Sequence, residues 1–234
     1  MDNSIALVTG ANKGIGKEIA RQLAAAGLVV YVGSRDAGRG KAAAAEIGGD
    51  ARPLVLDVTD PASVADAARE VSALDILVNN AGISLDGQTA EAESVDGFRR
   101  IYETNVFGVV AVTNAFLPAL RRSAHPRIVN ISSGTGSLAG ATGPDVPHVG
   151  TFAAYRSSKT ALNMLTVTYA YALGDAFKVN ALAPGLRRTD LNARASASDG
   201  DPAEAAAGAV RLALLPDDGP TAQFLSWDGT PVPW

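Results

Sequence analysis

Tyr155 and Lys159 stand four residues apart at the head of an apolar, helix-compatible run that reaches about Ala172. On a helix this spacing puts both side chains on one face, a turn apart. A free phenol titrates at about 10 and exchanges protons poorly at neutral pH. An ammonium a few Å away favours the phenolate and lowers that value. A Tyr tuned in this way passes a proton to or from an alcohol or carbonyl oxygen. The same spacing also arises by chance on amphipathic helices, so the pair needs support from the rest of the chain.

The elements that must position the pair read as alternating strands and helices. Ile5–Val8 is a continuous apolar run, the mark of a strand buried on both faces. Thr9-Gly-Ala-Asn-Lys-Gly-Ile-Gly16 follows, then a helix over Lys17–Ala26 and a strand over Leu28–Val32. The pattern continues with helices expected over Arg39–Ile47, Pro61–Val71 and Pro202–Leu215. Strands are expected over Pro53–Leu56, Ile76–Val78, Arg127–Ile131, Lys178–Leu182 and Gln223–Ser226. A long helical region, Ser94–Leu120, is expected to break near Thr104-Asn105. Such alternation predicts a Rossmann-type α/β fold: a doubly wound parallel sheet with helices on both faces. No linker, repeat or charge block divides residues 1–234, so a single domain is expected.

Composition narrows the chemistry. With 234 residues, 47% hydrophobic and 19% charged, the chain has ordinary globular make-up. A net charge of −4 offers no basic face for nucleic acid. The absence of cysteine removes disulfides, thiolate metal ligands and a Cys nucleophile. With His125 and His148 as the only histidines, no transition-metal site is expected. The N-terminus lacks the basic and apolar regions of a signal peptide. No apolar run approaches the roughly 20 residues of a membrane span, so a cytoplasmic protein is expected.

The loops after the strands hold the informative residues, where sheets of this kind bind ligands. Gly10, Gly14 and Gly16 bracket the first turn. Glycines there let backbone approach a pyrophosphate at a helix N-terminus. The spacing is GxxxGxG, not the more common GxGxxG. Thr9-Gly10-xxx-Gly14-x-Gly16, Asn79-Asn80-Ala81-Gly82, Ser133 after a buried strand, Tyr155-xxx-Lys159 and Pro184-Gly185 occur in that order. Together they resemble the short-chain dehydrogenase/reductase family in its single-domain branch, over nearly the whole chain. Asn12-Lys13 and the ending Leu214–Phe224 look most like its carbonyl reductases.

The resemblance implies roles for matching residues. Tyr155 is the implied proton donor, Lys159 lowers its pKa and holds the nicotinamide ribose, and Ser133 bonds the substrate oxygen. Ser132 supports the turn instead. Asn105 is implied to hold a water linking Lys159 to solvent. Ile15, Asn80, Ala81, Gly82 and Ile131 are expected along the cofactor, with Asp57 and Val58 at its adenine. Pro184, Gly185, Leu186 and Thr189 are expected over the nicotinamide.

An NAD site usually ends the second strand with an acidic residue. Here the position is Ser34, followed by Arg35, and Lys13 sits in the first turn. Cations suit the 2′-phosphate of NADP(H), with Arg39 adding to the field; the opposing reading turns Asp36 inward to bind NAD.

The stretch between Ser133 and Tyr155 exceeds the compact family pattern, with extra residues around Ala141–His148. That insertion reads as a border of the substrate region, about 134–154 and 186–201, or as a passive surface loop, with His148 more simply solvated. Asn192–Asp201 reads as a mobile lid. The adjacent Arg187 and Arg188 read as a solvated pair, with attraction of an anionic substrate as the other reading. The expected function is an NADPH-dependent carbonyl reductase, reversible as an alcohol dehydrogenase, acting on a small-molecule carbonyl or alcohol. The alternatives are a ketoacyl-thioester reductase and a non-catalytic NADP(H)-binding regulator. A homodimer or homotetramer is expected through the two long helices.

Overall fold

Four apolar residues, Ile5–Val8, form strand β1 of the computed structural model, which describes residues 4–85, 87–142 and 149–234. Their side chains alternate across the sheet: Ala6 and Val8 join one core, Leu7 the other. A strand covered on both faces has no polar side to show, hence the unbroken apolar run. The chain continues through α1 (Gly14–Ala25), β2 (Val29–Ser34), α2 (Ala37–Ile47), β3 (Ala51–Val55), α3 (Pro61–Glu70) and β4 (Ile76–Asn79). Next come α4 (Val95–Tyr102), a π-helical turn (Glu103–Phe107), α5 (Gly108–Leu120) and β5 (Arg127–Ile131). A 3₁₀ turn (Gly134–Gly136), α6 (Leu138–Thr142), α7 (Ala153–Leu173) and β6 (Lys178–Ala183) follow. Short α8 (Ala193–Ser196), α9 (Pro202–Ala213) and β7 (Phe224–Ser226) complete it.

All seven strands run parallel in the order β3-β2-β1-β4-β5-β6-β7. Strand order reverses between β1 and β4, and a ligand crevice opens beyond the carboxyl ends at such a point. One core packs Ile19 and Leu23 of α1 and Leu212 of α9 on the sheet, and the other packs Val64 of α3 and Phe116 of α5. The sheet is the doubly wound Rossmann type expected.

Helix starts follow local chemistry. Asp36, Asp60, Ser94, Asn192 and Asp201 each accept a backbone N–H of the first turn. Pro61 and Pro202 take the first helical position, where no N–H is needed. The expected break at Thr104-Asn105 is a π turn that keeps the helix running while shifting its register. The 3₁₀ turn and α6 were not expected; their glycines read as loop. Part of the expected insertion, Gly143–His148, lies outside the described residues. Among the described residues, no helix is long and apolar enough to cross a membrane.

Candidate active site

The first glycine turn is built for close approach. Gly14 adopts φ 56°, a left-handed conformation costly for other residues. A Cβ on Gly16 would stand 2.3 Å from Asn80 Nδ2 and 2.7 Å from the Gly10 carbonyl. Thr9 ties this turn to the loop after β4, its Oγ1 accepting from Asn80 N and Ala81 N at 2.9 Å each. Asn80 Nδ2 donates back to the Thr9 carbonyl at 2.8 Å. Unlike the helices just described, α1 begins at Lys13 without a side-chain cap. Its first-turn N–H groups and dipole therefore remain available to an anion. The close approach and the uncapped N-terminus fit a dinucleotide pyrophosphate.

A crevice of about 320 Å³ opens there. Gly10, Asn12, Lys13, Gly14, Ile15 and Gly16 line its floor. Ser34, Arg35, Asp57 and Val58 line one end, and Asn80, Ala81, Gly82 and Ile131 its middle. Pro184 and Thr189 close the far side with Tyr155 and Lys159. A second cavity, about 500 Å³, is lined by Ser133, Val149, Phe152, Gly185 and Leu186. Ile15, Tyr155, Pro184, Thr189 and Leu191 belong to both. The phenol therefore stands at the seam between the two spaces.

Several residues aim Tyr155. Glu93 Oε2 accepts the Ala154 N–H at 3.1 Å, capping α7 from a distant loop. Phe152, at φ 60°, turns the chain into that helix, and its N–H bonds the Gln88 carbonyl at 3.1 Å. Ser132 is buried and donates to Asn163 Oδ1 at 2.5 Å, one turn beyond Lys159. Neither the Glu93 cap nor the Asn163 partner left a local signal in the sequence.

Lys159 is 5% exposed, and its bond among the described residues is to the Ile131 carbonyl at 2.8 Å. Burial without a counter-charge lowers its pKa to about 8. Its Nζ lies 5.8 Å from the centre of the Tyr155 ring. The expected lowering of the Tyr155 pKa does not occur in the ligand-free chain. Burial pushes the phenol up, and a hydrogen bond with Ser133 only partly opposes this. Desolvation therefore sets the direction of the shift.

The Ser133 hydroxyl also pairs with Thr135 Oγ1 at 2.8 Å. Asn105 is fully buried and lines neither cavity. Its Oδ1 accepts Ile83 N at 2.9 Å, and its Nδ2 donates to the Ile83 carbonyl at 3.0 Å and to Ser158 Oγ at 3.1 Å. The π turn thus presents an amide that pins the loop beside Gly82.

At the other end, Ser34 Oγ is buried and donates to the Asp36 carbonyl at 2.9 Å. Asp36 caps α2 and sits 3.7 Å from Arg39, and both border the crevice with Arg35. Lys13 pairs with Asp190 at 2.5 Å, and both line the crevice along with Arg35. Asp57 Oδ1 accepts from Thr59 within its own turn. Gly185 and Leu186, expected over the cofactor, line the second cavity instead.

The segment expected to be a mobile lid carries α8 and is tied down. Ser196 Oγ bonds the Thr189 carbonyl at 3.0 Å, and Ser198 Oγ the Leu186 carbonyl at 3.1 Å. The two arginines part company: Arg188 is exposed, whereas Arg187 is 8% exposed and stacks on Trp227, a partner remote along the chain.

The profile of the short chain dehydrogenase family matches residues 4–200. The (−)-isopiperitenone reductase of Mentha piperita is 35% identical, over 95% of this chain and 96% of that one. That alignment runs to 307 positions, more than this chain has residues, so the Mentha enzyme carries insertions absent here. An NADPH-bound carbonyl reductase from chicken fatty liver superposes with TM-score 0.85 at 29% identity, covering 100% of both chains. A 3-ketoacyl-(acyl-carrier-protein) reductase of Brucella melitensis, complexed with NADH, gives TM-score 0.85 at 27% identity over 96% of each. On profile, identity and fold together, this chain belongs to the short-chain dehydrogenase/reductase family of oxidoreductases.

Proposed function

We propose that the protein is an NADPH-dependent carbonyl reductase, reversible as an alcohol dehydrogenase. The observation that carries this reading is the phenol of Tyr155 at the seam of the two cavities, with Lys159 on the crevice side and Ser133 on the other. A bound nicotinamide supplies the hydride. Ser133 and Tyr155 are donors for the oxygen on which negative charge gathers. Burial keeps the phenol protonated, the state a proton donor needs for reduction. Lys159 holds ribose hydroxyls and, when charged, steadies the phenolate left after transfer. Asn105 acts by fixing the loop at Gly82.

The preference for NADP(H) rests on the end of β2. Arg35 is exposed there without an ion-pair partner among the described residues, and Asp36, though it borders the crevice, caps α2 with its Oδ1. The likeness to the chicken enzyme supports the same choice; the likeness to the NADH-complexed Brucella enzyme favours the opposing one. That Brucella protein also gives ground for a second reading, a ketoacyl-thioester reductase. Assay of a β-ketoacyl thioester against aryl ketones separates the two. The regulator reading is disfavoured by the retention of both Tyr155 and Lys159. The insertions in the Mentha enzyme argue against transferring its substrate.

Residues 134–154 and 186–201, which include much of the second cavity's wall, form the substrate region in this reading. Phe107, Met164 and Tyr171 are exposed on or beside α5 and α7, which supports pairing of copies there; sedimentation would give the number. The test of the mechanism is Tyr155→Phe. Turnover should fall by about 10²-fold or more, the usual span of acid catalysis, while NADPH still binds. Near-normal turnover removes Tyr155 from the reaction, and a higher kcat/KM with NADH than with NADPH refutes the cofactor assignment.

A further inference from the structure

Helix α6 (Leu138–Thr142) has five residues, and none of them is buried. A helix this short is not stable on its own in water, and packing of an apolar face is what usually holds one. Here Leu138, its one large apolar residue, is exposed. Yet Gly140 and Ala141 of α6 line the second cavity, together with Ser133, Thr135 and Ser137 just before it. This wall beside the reacting groups is therefore held by something other than a core.

Residues 230–234 hold it. After β7 the chain turns at Gly229 and runs back antiparallel along that strand, with Leu225 opposite Pro231. Ser226 N–H bonds the Thr230 carbonyl and Val232 N–H the Phe224 carbonyl, each at 2.8 Å. Trp234 then stacks on the buried ring of Phe224, the centroids 5.3 Å apart and the planes 21° from parallel. From this anchor two main-chain oxygens reach the wall. Trp234 O accepts the Ala139 N–H at 3.0 Å. Pro233 O accepts the buried Ser137 hydroxyl at 2.5 Å. The same Ser137 Oγ accepts the Gly140 N–H at 2.8 Å. Ala139 and Gly140 carry first-turn N–H groups that a helix cannot satisfy for itself. Both are satisfied here, one by the tail and one by a hydroxyl that the tail fixes.

We propose that Trp234 and Ser137 are positioning residues for the substrate. The stack on Phe224 holds the main chain at 233–234, and that main chain, through Ser137 and Ala139, holds the α6 wall on which the body of the substrate rests. This rests on the reductase reading, in which the carbonyl meets Tyr155 and Ser133 and the remainder of the molecule fills the cavity. A ring-bearing ketone leans on the wall; a compact one does not.

The test compares 2-acetylnaphthalene with acetone, using NADPH, in wild type, Trp234→Ala, Trp234→Phe and Ser137→Ala. Trp234→Ala should raise the KM for 2-acetylnaphthalene about 10-fold, because without the stack only a fraction of molecules keep the wall in place. Its kcat, its KM for NADPH and its kcat/KM for acetone should stay near wild type. Ser137→Ala should show the same split, and Trp234→Phe, which keeps a ring for Phe224, should behave as wild type. Hydrogen exchange reads the brace without activity. The Ala139 and Gly140 amides should be protected in wild type and exchange about 10-fold faster in Trp234→Ala, with the amides of β1 unchanged.

An unchanged KM for 2-acetylnaphthalene in both alanine variants overturns the proposal, as does a loss shared equally by the two ketones. So does a wild type whose Ala139 and Gly140 amides exchange as fast as in an unfolded chain, a result that needs no variant to fold. Absence of turnover on every ketone refutes the reductase reading instead, and the exchange rates then judge the brace alone.

Discussion

Replacing Lys159 with Met should make the ligand-free protein more stable while removing its activity. The ammonium is 5% exposed, bonded to the Ile131 carbonyl, and held at a pKa of about 8 against 10.5 by burial. At about 1.4 kcal/mol per pH unit, keeping that charge buried costs roughly 3 kcal/mol at pH 7. Met fills similar space without a charge. Losing the hydrogen bond takes back about 1 kcal/mol, leaving a gain of about 2 kcal/mol. For a chain of this size that is a rise in Tm of about 4–8 °C.

The sign of the pH dependence follows from the lowered value. Below about pH 8 the folded protein carries the full cost of the charge. Between about 8 and 10.5 the unfolded chain binds more proton than the folded one, so wild-type stability climbs with pH. The advantage of Lys159→Met should therefore be largest at pH 7 and mostly gone by about pH 10. Denaturant unfolding of both proteins at the two pH values, without cofactor, measures this. A variant less stable than wild type at pH 7, or a gap that persists at pH 10, refutes the claim that Lys159 is a desolvated charge. Turnover of the variant should fall by about 10²-fold or more.

Gly16→Ala should weaken NADPH binding by about 10-fold or more and destabilise the fold by about 1–3 kcal/mol, as overpacking does; the new Cβ meets the Gly10 carbonyl, which is backbone and cannot swing aside. Fluorescence titration and unfolding read both effects. Arg35→Glu should lower kcat/KM for NADPH relative to NADH by about 10-fold or more, since it exchanges a phosphate-binding fork for a repelling charge; an unchanged ratio places the 2′-phosphate elsewhere. Arg127→Ala should cost about 2–4 kcal/mol through an unpartnered Leu215 carbonyl and a cavity, while the KM for NADPH stays near wild type, because Arg127 is remote from the crevice lining.

How much of this was legible in the sequence depended on how local the cause was. Strand β1 showed itself because both of its faces are covered. Helices α3 and α9 announced their starts through Asp60-Pro61 and Asp201-Pro202. Thr104-Asn105 marked a break, but no periodicity tells a π turn from a kink. The Tyr155–Lys159 spacing gave a shared face, yet it could not give the dielectric around that face. The sign of the Tyr155 shift depends on burial by other elements, and there the expectation failed. Arg187 beside Arg188 looked solvated because Trp227 and Glu204, its stacking and ion-pair partners, are remote in sequence.

The buried cations separate by what surrounds them. Arg127 shows a structural one: its donors reach the Leu215 and Pro126 carbonyls and Asp217, and it faces neither cavity. Lys159 and Arg187 are also withdrawn from water, yet each is under-bonded and each lines a cavity. A fold stabilised by its own contacts alone would fill those donors or neutralise them, because a lone buried charge opposes folding. The persistence of Lys159 beside Tyr155 fits a ligand that supplies the missing acceptors, ribose hydroxyls in the proposed reading.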